Sequence, residues 1–293
     1  MKHTIENQQL RISVKEEGAE LTSLVRKENN CEVLWQGDPA YWEGQSPVLF
    51  PTIGSSANQQ VRFDGTTYPM PKHGLVKDMK FRLTDSGTDF LVFSVTDTEE
   101  TRKHFPLPFQ LSVRYQLEES TLRVSFVVGN SKNQPLPYHV GAHPAFQLPR
   151  FQAQDEVHGY LGFDVTDKLV GNGLKPGGYL WPEGSFDVPL SEEGLLALGN
   201  HTFDCDTILD TRGFAHACTL YNIEKEKIAT VRFDAPVLAL WAPCGGQAPF
   251  VCIEPWWGCC DEAEFADEFL KRPWMNVVEP KSEKTISYTI TVH

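Results

Sequence analysis

The chain has 293 residues, 41% of them hydrophobic and 22% charged, which is ample for a buried core and too polar for a membrane protein. Twenty-six basic residues against 39 acidic ones leave a net charge of −13. That balance argues against nucleic acid or an anionic membrane as a partner, because phosphate recognition needs a basic surface.

The strand signals start at once. Leu10–Val14 alternates, Glu16-Glu17-Gly18 reads as a turn, and Glu20–Arg26 alternates again, predicting a hairpin. Val48–Ile53 is a short apolar run containing Pro51. Val61–Phe63 and Thr66–Tyr68 flank Asp64-Gly65, and Asp-Gly supplies the positive φ that a tight primed turn requires. Phe81–Thr84 and Phe90–Thr96 form the next pair, followed by Phe109–Leu117 and Leu122–Val128. Further strands are predicted at His158–Val165, Thr219–Ile223, Ile228–Phe233, Val237–Trp241, Phe250–Ile253, Asn276–Val278 and Thr285–Val292. Helical spacing is confined to Glu192–Leu198 and Asp261–Leu270, and the Gly/Pro-rich Gly171–Gly184 reads as a surface loop. The lack of long amphipathic helices between strands argues against a parallel α/β fold. The expectation is an all-β, antiparallel sandwich over 1–293 as a single domain, with a few short helices.

The seven cysteines, Cys31, Cys205, Cys218, Cys244, Cys252, Cys259 and Cys260, contain no CxxC pair, so they predict reduced thiols in a cytoplasmic protein. The N-terminal MKHTIENQQLRISV lacks the apolar run of a signal peptide, and no stretch reaches the ~20 apolar residues of a membrane helix.

Three stretches carry chemistry. In Pro137–Leu148 (PYHVGAHPAFQL), Gly141 and Pro144 disfavour a helix, so the segment is expected to be extended, with His139 and His143 on one face. A histidine held on a strand suits proton transfer. The pair could also be read as metal ligands, but spacing of four chelates on a helix, so no metal is expected. In Phe250–Gly258 (FVCIEPWWG), Glu254 ends an apolar strand, is followed by Pro255 and is expected to be walled by Trp256 and Trp257. Partial desolvation raises a carboxylate's pKa and makes it a better base, although an ion-paired strand-end glutamate fits the same pattern. In Pro71–Asp78 (PKHGLVKD), His73 precedes a glycine that allows close approach of a ligand or backbone, or else is a loop histidine in a turn. GxSxG, GxxxxGK[ST], HExxH and strand-linked GxGxxG motifs are missing from the sequence.

Pro47–Gly54 (PVLFPTIG), Pro71–Asp78, Gly141–Phe146 (GAHPAF) and Ile253–Trp256 (IEPW), in this order, resemble the aldose 1-epimerase (galactose mutarotase) family, in particular its bacterial lactose-operon-associated branch. The similarity runs along nearly the whole chain. It implies a galactose mutarotase-like β-supersandwich and a cofactor-independent isomerase interconverting α and β anomers of a free aldose such as galactose or glucose. By resemblance His143 protonates the pyranose ring oxygen and Glu254 takes the proton of the anomeric hydroxyl. His73 and Asp206 would hold sugar hydroxyls, with Lys77, Trp256 and Phe146 completing the binding site. The implied partner is a monosaccharide, bound by a monomer or homodimer. One departure stands out: relatives carry an arginine after the Phe-Pro-x-x-Gly run, whereas Gly54 is followed here by Ser55-Ser56-Ala57-Asn58. Lys77 remains as the candidate cation and is a poor substitute for a forked donor. With the net charge of −13 this favours a neutral sugar over the phosphosugar of a hexose 6-phosphate epimerase. The other alternative, a non-catalytic sugar-binding protein, would need neither of the two proton-transfer residues.

Overall fold

In the computed structural model, which describes residues 1–165 and 168–293, the regular structure is almost entirely strand, with 3₁₀ turns as the only helical elements among the described residues. Two large sheets dominate. The first runs Leu195–Leu198, Gly159–Phe163, Ala217–Tyr221, Lys227–Phe233, Ser282–Val292, Thr121–Asn130, Gln110–Glu118, Phe90–Thr96, Arg82–Ser86. The second runs Tyr179–Asp187, Val170–Lys175, Thr207–Asp210, Val237–Trp241, Phe250–Trp257, Val140–Ala142, Val48–Leu49, with Ala145–Gln147 also paired to Phe250–Trp257. Every strand pair in both is antiparallel. An N-terminal sheet of Lys2–Glu6, Leu10–Lys15, Leu21–Arg26 and Cys31–Glu32 packs on the same core.

Alternation explains the layering. In Gln110–Glu118, Leu111, Val113, Tyr115 and Leu117 are buried while the residues between them are not. These side chains meet Val251, Ile253 and Trp257 of the second sheet in one hydrophobic core, where Phe126 lies edge-on to Trp257 at 6.5 Å. The Asp64-Gly65 hairpin forms as expected, with φ of 48° and 78° at the two turn residues.

Three local expectations fail, each for a tertiary reason. Gly171–Gly184 is a hairpin, Val170–Lys175 against Tyr179–Asp187, turning at Gly177 and Gly178. Its small residues lie against the next strand, so that a Cβ on Gly171 would sit 2.7 Å from Ile208. Glu192–Leu198 supplies a turn and then the edge strand Leu195–Leu198, with Leu196 and Leu198 buried at period two. Asp261–Leu270 is irregular apart from the 3₁₀ turn Phe269–Lys271. Its backbone is committed elsewhere: Asp261 N–H donates to Ser55 O, its carbonyl accepts from Leu180, and its carboxylate takes Ala57 N–H and Arg272.

Candidate active site

The register of two short strands against Phe250–Trp257 builds the centre of the site. Gly141 pairs with Trp256 and Ala145 with Cys252, so both strands share one register, and continuing it sets His143 across from Glu254. Pro144 breaks the strand between them, and its carbonyl accepts from Ile253 N–H at 3.2 Å. The result is an imidazole and a carboxylate facing each other, His143 Nε2 to Glu254 Oε2 at 3.3 Å, with only 7% and 1% of each residue exposed. Both line a cavity of about 580 Å³, within the size range of small-molecule sites.

Parity sorts the remaining expectations. Cys252, Glu254 and Trp256 share one strand face, and Trp256 lines the cavity while donating its indole N–H to Glu254 Oε2 at 3.2 Å. Phe146 lies on the opposite face, paired with Val251 and wholly buried in the main core, so it is a packing residue and does not line the cavity. Trp257 likewise turns into the core, with its indole N–H on Asp234, so that of the two expected tryptophans Trp256 stays beside Glu254 and Trp257 does not. His139 does not join His143. Leu136–Tyr138 pairs with Asn276–Val278 and Val140–Ala142 with Phe250–Trp257, so His139 falls at the crossing between two sheets. There its ring bonds Pro273 O at 3.1 Å and packs on Phe269.

His73 sits 5.5 Å from His143, ring to ring, and lines the cavity. Its φ of 66° and the following Gly74 fold the loop back onto Gly54. Gly54 N–H donates to His73 Nδ1 at 3.2 Å, which leaves the ring proton on Nε2 as a donor. Asp206, with φ of 71° at the start of Thr207–Asp210, also lines the cavity. Lys77 lines it too but is paired with Asp78. The sequence reading missed two further cations, Lys15, which is paired with Glu20, and Lys72. Lys72 has no carboxylate partner among the described residues, and its place inside the PKHG motif was the available signal. Trp42 and Trp241 were missed as well. Trp42 stacks on His143 at 4.9 Å and 30°, and Trp241 meets the same imidazole edge-on at 5.7 Å.

Burial sets the electrostatics. Desolvation pushes His143 down to about 3, helped by the charge of Lys72, and His73 well below its ordinary value. Desolvation also raises Glu254 well above the usual carboxylate range, against the opposing Trp256 hydrogen bond and Lys72 charge. Charge is therefore disfavoured on either partner alone, and the pair holds one proton in common. Cys252 brings its sulfur within 4.8 Å of the ligand atoms of both, a donor set that could in principle take a soft ion. Burial and the neighbouring Glu254 raise its thiol well above the ordinary value, however, and a metal ligand must be deprotonated. The arrangement is better suited to passing a proton between two oxygens of a bound molecule.

Comparison with known proteins bears on this geometry. The family model described as aldose 1-epimerase matches residues 1–290. The chromosomal LacX protein of Lactococcus lactis subsp. lactis is 29% identical over 296 residues, 98% of each chain. A galactose mutarotase related enzyme from Lactobacillus acidophilus superimposes with a TM-score of 0.92 at 29% identity, over 100% of this chain and 97% of that one. A galactose mutarotase-like protein from Lactobacillus casei gives the same score and identity over the full length of both. No helix among the described residues is long and apolar enough to cross a membrane.

Proposed function

Because the chain belongs to the aldose 1-epimerase family, we propose that it interconverts the α and β anomers of a free, neutral aldose such as galactose or glucose. The observation that carries this reading is the direct His143–Glu254 contact at 3.3 Å inside a sugar-sized cavity. With the shared proton on His143, the imidazolium donates to the ring oxygen while the Glu254 carboxylate accepts the proton of the anomeric hydroxyl. The C1–O5 bond breaks, and the former hydroxyl oxygen becomes the aldehyde carbonyl. The pair has then passed to neutral imidazole and carboxylic acid, still carrying one proton. Rotation about C1–C2 and closure on the other face reverse each transfer, so a turnover needs no proton from solvent and no cofactor. Each group supplies about 10²–10⁴-fold, which suits a reaction that already proceeds slowly in water. His73 Nε2–H and Asp206 hold sugar hydroxyls, and Trp256 offers an apolar wall.

The charge of the cavity supports a neutral substrate. Lys15 and Lys77 are each neutralised by a partner carboxylate, and Glu43, Asp206 and Glu254 also line the wall. Among the described residues a phosphate would face one lysine without a carboxylate partner, Lys72, beside several acids. Polarimetry on freshly dissolved α-galactose or α-glucose tests the reading, with the hexose 6-phosphates run beside them. Acceleration of the neutral sugars supports it. A strong preference for the phosphates would select the phosphosugar enzyme, and sugar binding by calorimetry without acceleration would select a binding protein.

A further inference from the structure

We propose that Trp42 is the positioning residue of the site, covering the face of the His143 imidazole so that the ring keeps its plane and Nε2 stays aimed at the reacting oxygens. The inference rests on the proposed epimerase reading but draws on a part of the chain outside the family's motifs. Trp42 belongs to the loop between Trp35 and Ser46, and several contacts of that loop fix its backbone and ring. Its N–H donates to Asp38 O at 2.9 Å and its carbonyl accepts the Trp35 indole N–H at 2.8 Å. Gly44 lies against the ring so closely that a Cβ there would fall 2.4 Å from it. The buried Glu20 carboxylate accepts the N–H groups of Gln45 and Ser46 at 2.8 and 2.9 Å, and Gln45 O accepts from Ala145 N–H at 2.9 Å. The loop is thus tied to the strand that follows His143.

His143 at 4.9 Å and Phe250 at 5.8 Å both lie near-parallel to the Trp42 indole, Trp241 meets it edge-on at 5.4 Å, and the half-buried ring also lines the cavity. Of the aromatic rings around Trp42, the one belonging to the proposed reacting pair is the His143 imidazole, and the inferred work of the indole is done there. Removing the cover admits water to His143 and frees its ring to tilt; a misplacement of about 1 Å is enough to cost roughly 100-fold in rate. The groups facing His143 from the packed elements are Glu254 and Cys252 on its partner strand, His73 and Lys72 from the 71–78 loop, and Glu43 beside Trp42. None of these is altered by changing Trp42.

The test compares Trp42→Ala, Trp42→Phe and Gly44→Ala, using anomerisation kinetics and an NMR titration of isotopically labelled histidine, with thermal melts to establish folding. Trp42→Ala is expected to lower kcat about 10- to 100-fold with KM changed less than about threefold, and to move the His143 titration upward towards 6.5 as water enters. Trp42→Phe, which keeps an aromatic face, is expected to stay near wild type. Gly44→Ala, which pushes the indole aside without deleting it, is expected to follow Trp42→Ala, and serves in its place if that variant does not fold. A folded Trp42→Ala with wild-type kcat, or an equal loss in the Ala and Phe variants with His143 titration unchanged, overturns the proposal. If the wild-type protein accelerates no sugar, the epimerase reading falls, and the titration alone decides whether Trp42 covers His143.

Discussion

His139 gives the most quantitative handle on what the buried histidines cost the fold. It is almost fully buried, with Nε2 on Pro273 O, and desolvation holds it at about 3 against 6.5 in an exposed chain. Below pH 6.5 the unfolded chain takes up a proton at this position that the folded chain refuses. Stability contributed by the neutral ring is therefore present above 6.5 and is lost as pH falls towards 3. The slope from one such group approaches ~1.4 kcal/mol per pH unit, so the loss between pH 6.5 and 5 is about 2 kcal/mol. His139→Gln keeps a donor for Pro273 O and removes the titration. Urea unfolding at pH 7, 6 and 5 should show the variant weaker at pH 7, from lost ring packing on Phe269, but with a pH slope shallower than wild type by roughly 1 kcal/mol per unit. Parallel slopes for the two proteins would refute the argument.

Two further outcomes follow from the site. The rate of anomerisation should be flat through neutrality, because the pair keeps its single proton there, and should fall on the alkaline side as Glu254, whose proton burial holds well above the usual range, finally loses it and leaves no acid. A rate that already falls on the acid side of neutrality with a histidine-like pKa of about 6.5 would contradict the shared proton. Gly74→Ala should lower stability by more than about 2 kcal/mol and weaken sugar binding. The φ of 76° and a Cβ placed 2.2 Å from Phe50 O force the His73 loop outward, and thermal melts with and without sugar would measure both effects.

What the sequence made legible was whatever depends on local periodicity and turn chemistry. Alternation in Gln110–Glu118 and the Asp64-Gly65 turn specify strands that survive any packing, and GAHP and IEPW place an acid and a base on extended chain. Their convergence became legible only through register, since nothing local says that Gly141 pairs with Trp256. Phe146 shows the limit in one residue. Being next to the site in sequence put it among the candidates, while strand parity turned it to the opposite face and into the core. His139 failed because a strand assumed to be continuous is split between two sheets. The segment 261–270 was misread because the backbone partners of Asp261 lie far along the chain, and 171–184 because glycines that signal a loop belong to a hairpin where Gly171 packs against Ile208. Trp42 had no local signal beyond an aromatic in a Gly-containing loop, and its importance comes wholly from stacking on a residue about a hundred positions away.

The central claim is that His143 and Glu254 act on the same hemiacetal carbon. Its most direct test is the rate of α-to-β conversion, followed by NMR, for wild type and Glu254→Gln at matched protein concentration. The account predicts acceleration by the wild type and a fall of about 10²–10⁴-fold in the variant, with the fold retained. A Glu254→Gln protein that relaxes the anomers as fast as wild type would contradict it.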